Sequence, residues 1–392
     1  MIQKGTIFAT VAVVLIYACL GFSFLNGNIG SFCQIISCLI LCYLNGKSKI
    51  KYFYVTKNKL IIIGVTSILW MWHGRENNLY GFLSVLIQVT SISTMFFLNN
   101  ETLLKVAQWF AKSFSIVSCV SLLFWVLHLL GISFIAPQKI MYLGLYELND
   151  YFFFFKSEES VFPRFQCLFS EPGEYGMLCV ICILIRGFKK DRYTVILLAA
   201  ALFSLSLASY LLLAIILFFK YVIQKRKFKS LFIPVIILGG FYILGTTYND
   251  GDNIINNAIL WRLTLNDDNQ LEYYNRRTVE FDSYYDKEIQ DYKLISGIGQ
   301  QEYTIRQFEN SVDYKGYIAL DGLVGLCLFV TLYLLIYRYI GNSCNTFLSF
   351  VIFVIIFIRG FVFSFSPGSL ILYFLTLWSA KNQNSLSYTY NV

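Results

Sequence analysis

Charge is what this sequence has least of. Asp, Glu, Lys and Arg make up 14% of its 392 residues against 57% hydrophobic, and the mean hydropathy is +0.61. A chain so poor in charge is too apolar for a soluble globule, so a soluble fold is excluded. Cysteine is missing from residues 248–316, the one long polar stretch, and nearly all ten cysteines lie within apolar runs, including Cys179 and Cys182 of "CVIC". A disulfide-stapled external domain is thereby excluded, and the thiols read as small buried hydrophobes. Histidine occurs twice, as His73 in "WMWHG" and His128 in "FWVLHLLG". Neither stands in a long polar connection, and both read as interior or interfacial polar residues rather than catalysts. No carboxylates fall at metal-ligand spacing, so no essential metal and no other cofactor is expected.

What is abundant is apolar sequence in lengths that cross a bilayer, since a hydrocarbon core about 30 Å thick takes roughly 20 helical residues. Candidate spans cover residues 6–25, 29–45, 60–73, 79–98, 113–136, 172–187, 193–207, 209–223, 231–247, 317–337, 346–365 and 367–380. The predicted fold class is all-α: a polytopic helical integral membrane protein of about 12 transmembrane helices with a large, partly helical external loop. The first run is long enough to span and is read as an uncleaved helix. The formal charge of +8 is scattered through short connections rather than gathered on one face, so no nucleic-acid partner is expected.

Basic residues collect in alternate connections, "NGKSKIKYFYVTKNK", "RGFKKDR" and "QKRKFK", which the positive-inside rule places in the cytoplasm. The latter two flank residues 193–223, so an even number of crossings separates them. A tight hairpin turning near "SLAS" is expected. Four sections result: an N-terminal bundle (1–136), a first external loop with the following helices (137–247), a large external loop (248–316) and C-terminal helices with a cytoplasmic tail (317–392). Over 248–316, thirteen carboxylates outnumber seven basic side chains, and tyrosines are dense. Aromatic density argues for order, and a connection of that length is usually functional.

Two polar constellations stand at boundaries. In "RFQCLFSEPGEYG", Arg164 and Glu171 precede Pro172, which suits a first helical turn because its missing N–H has no partner there. The pattern serves as a helix-start signal, or places Arg164 and Glu171 at a site on the membrane surface. Further on, Arg276 and Arg277 precede "SGIGQQEY" (Ser296–Tyr303) and "GYIALDGLVG" (Gly316–Gly325). Arg359 lies inside an apolar run, where a charge must face the bundle interior or a wet cavity, against a lipid diphosphate or an acid such as Asp321.

In these residues the chain resembles the O-antigen polymerases of the Wzy type and, more loosely, the O-antigen ligases. The resemblance rests on Arg164 with Phe169–Pro172, on Arg277 upstream of Gly297-Ile298-Gly299, and on Asp321–Gly325. It covers residues 160–340 best. It departs at Tyr314-Lys315, where relatives carry His-Asn, and at Ser209-Tyr210, where relatives carry Ser-Arg.

The resemblance implies a membrane glycosyltransferase of polysaccharide biosynthesis in the bacterial inner membrane, its site facing the periplasm or cell exterior. It would pass a glycan from undecaprenyl pyrophosphate to the terminal sugar hydroxyl of another lipid-linked repeat unit, without a metal. Arg164 and Arg277 are the expected holders of the departing diphosphate, because guanidinium groups bind such oxygens bidentately. Glu171 is the candidate base. Arg276, Gly297, Gly299, Tyr303, Asp321 and Arg359 are expected to bind substrate. The lipid-linked oligosaccharide is the expected partner, with a chain-length regulator implied by the family. A ligase-like transferase and a glycolipid flippase are the alternatives, although the two halves lack the similarity common in transporters.

Overall fold

The computed structural model describes residues 2–20, 27–48, 51–75, 79–132, 135–142, 146–157, 164–224, 232–253, 256, 260, 279–287, 289, 293–306, 308, 314–341, 343–359 and 366–389. Every apolar run read from the sequence contains a helix. In chain order these are α1 (Ile2–Cys19), α2 (Gly27–Lys47), α3 (Lys57–His73), α4 (Leu79–Phe97), α5 (Asn100–Leu129), α6 (Pro172–Ile185), α7 (Arg192–Phe203), α8 (Leu207–Phe218) and α9 (Phe232–Thr247). Three short helices, α10 (Val279–Lys287), α11 (Lys293–Ser296) and α12 (Gly299–Ile305), occupy the polar stretch before α13 (Tyr314–Ile340), α14 (Cys344–Arg359) and α15 (Pro367–Thr389).

Among the described residues, five segments are both long and apolar enough to cross a bilayer: Ile29–Lys47, Leu79–Phe97, Asn100–Leu129, Leu207–Gln224 and Tyr314–Ile340. Shorter apolar helices cover Gly5–Cys19, Pro172–Ile185, Arg192–Phe203 and Cys344–Ile358. The protein is therefore a membrane-embedded, predominantly helical chain.

Helix α5 starts well before the expected span at 113. Its first turns, "NETLLKVAQWFAK", are amphipathic rather than uniformly apolar, and Leu103, Val106, Ala107, Phe110 and Phe114 bury one face. Asn99 starts it, its side-chain oxygen accepting from Thr102 N at 2.9 Å.

The helices group into two compact units, residues 1–110 with 276–392, and residues 111–275. These groupings cut across the four linear sections, because packing joins segments far apart in sequence. In the first unit α15 is the central helix. It packs on α1, α4, α13 and α14, and from Leu370 to Trp378 every residue is buried, as its all-round apolar sequence requires. Lys59, at the start of α3, is also buried, and its ammonium donates to the carbonyls of Leu98 at 2.8 Å and Tyr54 at 3.2 Å. A cation thus satisfies the Leu98 carbonyl at the C-terminal end of α4 and the Tyr54 carbonyl before α3.

In the second unit α6 is central, buried from Gly173 to Ile185 with α7 and α8 packed on it. The chain breaks between α7 and α8 at Ser204–Ser206, beside the expected turn. Leu205 there takes a left-handed conformation (φ 45°), and Ser206 caps α8. A further difference from the expected all-helical class is a small antiparallel sheet, β1 (Gln138–Tyr142), β2 (Tyr146–Asp150) and β3 (Phe155–Ser157). Its strands are too short for alternation to stand out among neighbouring aromatics. Lys139 and Glu147 pair diagonally across β1 and β2 at 2.8 Å.

Between α6 and α7, the buried Arg186 guanidinium pairs with Asp191, whose other oxygen accepts from Thr194 N at 3.0 Å and so caps α7. Burial pushes the Asp191 pKa up but is outweighed by the Thr194 backbone N–H and the Arg186 charge, so its carboxyl lies below the ordinary range. A depressed carboxyl pKa gives stability that is complete above the unfolded value of about 3.9 and is lost as the pH falls through the folded value. Asp191→Asn keeps the cap and removes the charge. Because the Asp191 side chain is 35% exposed, the expected loss is modest, about 1–2 kcal/mol. Thermal unfolding at neutral and acid pH checks this: the gap between wild type and variant closes in acid. Equal melting at neutral pH would show that the pair contributes nothing.

Candidate functional site

The glycine motifs around Gly297 and Gly322, apart in sequence, meet in the first unit. Gly297 (φ 72°) leads into α12, and Gly322 (φ 70°, ψ −175°) breaks α13 near its start. Their backbones lie against each other. A Cβ built on Gly297 would sit 2.6 Å from Gly322 N, and one built on Gly322 would sit 2.5 Å from Gly297 N. Ile298 N donates to Ala319 O at 2.8 Å, stitching the two segments together. Only residues without a Cβ allow this approach, and Gly322 adopts a conformation nearly closed to other residues.

Asp321 stands at this break with no exposed surface. Its Oδ2 lies 2.8 Å from His73 Nδ1, and its Oδ1 lies 3.5 Å from an Arg75 terminal nitrogen. Trp72 Nε1 donates to the Asp321 backbone carbonyl at 2.8 Å. Arg75 also donates to Ser296 O at 2.6 Å and Trp72 O at 2.9 Å, with its guanidinium 4.7 Å from the centre of the Trp72 ring. The end of α3 and the residues after it therefore clamp both motifs. A charge this deeply buried persists only when paired, and here both carboxylate oxygens have partners.

Asp321 thus contacts His73 and Arg75, while Arg359, expected against a lipid diphosphate or an acid such as Asp321, ends α14 with its side chain outside the described residues. Arg276 and Arg277 likewise lie outside them. Tyr303, expected to bind substrate, is only 6% exposed and packs with Phe281, Tyr284, Ile298 and Phe308 in the core of the polar stretch. Gly299 (φ 79°) opens α12. Beside that core, Glu280, Ser283, Tyr284, Arg306 and Phe308 line an open hollow of about 300 Å³.

Arg164 and Glu171 belong to the second unit. Arg164 donates to Ser204 O at 3.2 Å and Leu205 O at 3.1 Å, satisfying carbonyls at the end of α7. Glu171 occupies the N-cap of α6 without a side-chain cap bond, and Pro172 takes the first turn as its ring geometry favours. Among the described residues no three His, Cys, Asp or Glu side chains group to hold a metal ion.

Arg75 had no signal in the sequence, and His73 read as a bland interfacial residue. The short polar run "HGRE" directly after an apolar span is the one local hint. Its partner lies 248 residues away. No protein-family model, curated protein or solved structure matches this chain.

Proposed function

We propose that this protein polymerises lipid-linked glycan repeat units on the outer face of the bacterial inner membrane, as a metal-independent glycosyltransferase of about twelve crossings. One observation carries the reading: Ser296–Ile298 and Ala319–Gly322, parts of two motifs behind the resemblance, form a single interlocked junction around a buried carboxylate. Residues that merely turned the chain would not need to converge. The α3 helix begins beside the basic "YFYVTKNK" connection and ends at His73, which supports an outer position for the junction in this reading.

In this reading guanidinium groups hold the departing diphosphate, with Arg164 and Arg277 as the first candidates and Arg276 and Arg359 as the further ones. The sugar of the acceptor approaches the Asp321 junction, and the 300 Å³ hollow receives part of a glycan. A chain-length regulator in the same membrane acts on the product. The chemistry equally describes a ligase-like transferase with a different acceptor.

A flippase is the second reading, favoured by the broken start of α13 with its buried ionic cluster, a device that transporters use at binding sites. The lipid-linked sugar profile of cells lacking the protein separates the two. Polymerase loss leaves single repeat units exported and transferred, whereas flippase loss strands them inside. Arg164→Ala and Arg277→Ala are each expected to shorten surface glycan to single units, a fall in polymer of about 100-fold, with the protein still inserted at normal levels. Long chains from both variants would remove these arginines from the mechanism.

A further inference from the structure

The chemistry proposed above needs a group to take a proton from the attacking sugar hydroxyl. Glu171, expected in that role, has no hydrogen-bond partner among the described residues to orient its carboxylate. His73 is held. Asp321 accepts at 2.8 Å from Nδ1, and Asp321 is itself fixed by the Trp72 bond to its backbone and by Arg75. An imidazole whose Nδ1–H is committed to a carboxylate keeps a basic lone pair on Nε2.

Among the described residues Nε2 has no hydrogen-bond partner, and the His73 side chain is 32% exposed whereas Asp321 is wholly buried. A part-exposed ring and a buried anchor are the arrangement of an oriented base. Arg75 already places a cation beside Asp321, so the carboxylate has a counter-charge without the imidazole. Among the described residues, the charged or titratable groups facing this ring are Asp321 and Arg75, with the Tyr317 phenol beyond Asp321 donating to Gly325 O at 3.2 Å.

We propose that His73 is the general base of the glycosyl transfer, with Asp321 as its positioning residue; this rests on the polymerase reading. The acceptor hydroxyl oxygen bonds to the anomeric carbon as the bond from that carbon to the diphosphate oxygen breaks. The bonding pair leaves with the diphosphate. The hydroxyl proton passes to His73 Nε2, and the resulting imidazolium, stabilised by Asp321, returns it to water.

The test uses full-length purified protein and lipid-linked single repeat units extracted from cells that lack it, with the initial rate of polymer formation followed across acid to neutral pH. Wild type is expected to lose rate in acid as the base protonates. His73→Ala is expected to lose about 100-fold in kcat and its acid limb, and to regain rate on addition of free imidazole. His73→Gln tests the same loss if the alanine variant fails to insert. Asp321→Asn is expected to lower kcat with little change in KM. A His73 variant that inserts and retains both the wild-type rate and its acid limb overturns the inference while the polymerase reading stands. Wild-type protein that forms no polymer removes both.

Discussion

Alanine at Gly297 or Gly322 is expected to prevent the first unit from folding normally, the largest effect of any single methyl group considered in this protein. At each site the added carbon meets backbone rather than a movable side chain: Gly322 N at 2.6 Å from Gly297, and Gly297 N with Ser296 C at 2.5 Å from Gly322. Both glycines also have positive φ. Backbone strain of about 1–3 kcal/mol adds to overpacking of about 1–3 kcal/mol, a sizeable share of the stability of a typical domain. The comparison is Gly64→Ala within α3, where a new Cβ meets nothing within 4 Å. There alanine is expected to be neutral or to stabilise by about 0.5–1 kcal/mol, since it costs less entropy in a helix. Thermal unfolding in detergent, with the yield of monodisperse protein, ranks the three variants. Equal melting of Gly297→Ala and wild type would mean that the two segments do not touch.

Removing the buried carboxylate is the second large change. Asp321→Ala leaves His73 and Arg75 facing each other without the anion that both contact. Breaking one partner of a buried ion pair costs about 3–5 kcal/mol, and the lower end is expected because Arg75 keeps the carbonyls of Ser296 and Trp72. Asp321→Asn retains the shape and the Trp72 bond to the backbone carbonyl, so it is expected to fold nearly as well while failing in turnover. Chemical denaturation and polymer formation measured on the same preparations separate the two effects. If both variants polymerise normally, Asp321 is a packing residue.

The sequence shows the fold more readily than the site, for a physical reason. A helix that faces lipid or a bundle must be apolar over its own length, so every apolar run announced itself locally. The basic flanks of residues 193–223 similarly forecast two helices, now seen as α7 and α8 with their break at Ser204–Ser206. The β1–β3 sheet escaped because its strands of five, five and three residues offer almost no period to read. Asp321 was identifiable as an acid at the mouth of a span. Its partners were not, because pairing with His73 and Arg75 depends on α3 packing against α13, and nothing local to "WMWHGRE" encodes that distant neighbour. The packing of Tyr303 among Phe281, Ile298 and Phe308 was equally hidden, because a tyrosine in a polar stretch does not show which neighbours it meets.

One measurement bears most directly on the polymerase proposal. Purified protein in detergent is given lipid-linked single repeat units, and free undecaprenyl pyrophosphate is counted against glycosidic bonds formed. The proposal predicts chains of several repeats on one lipid, with one diphosphate lipid released for each new linkage. Repeat units recovered unchanged, with no diphosphate lipid released, would contradict it.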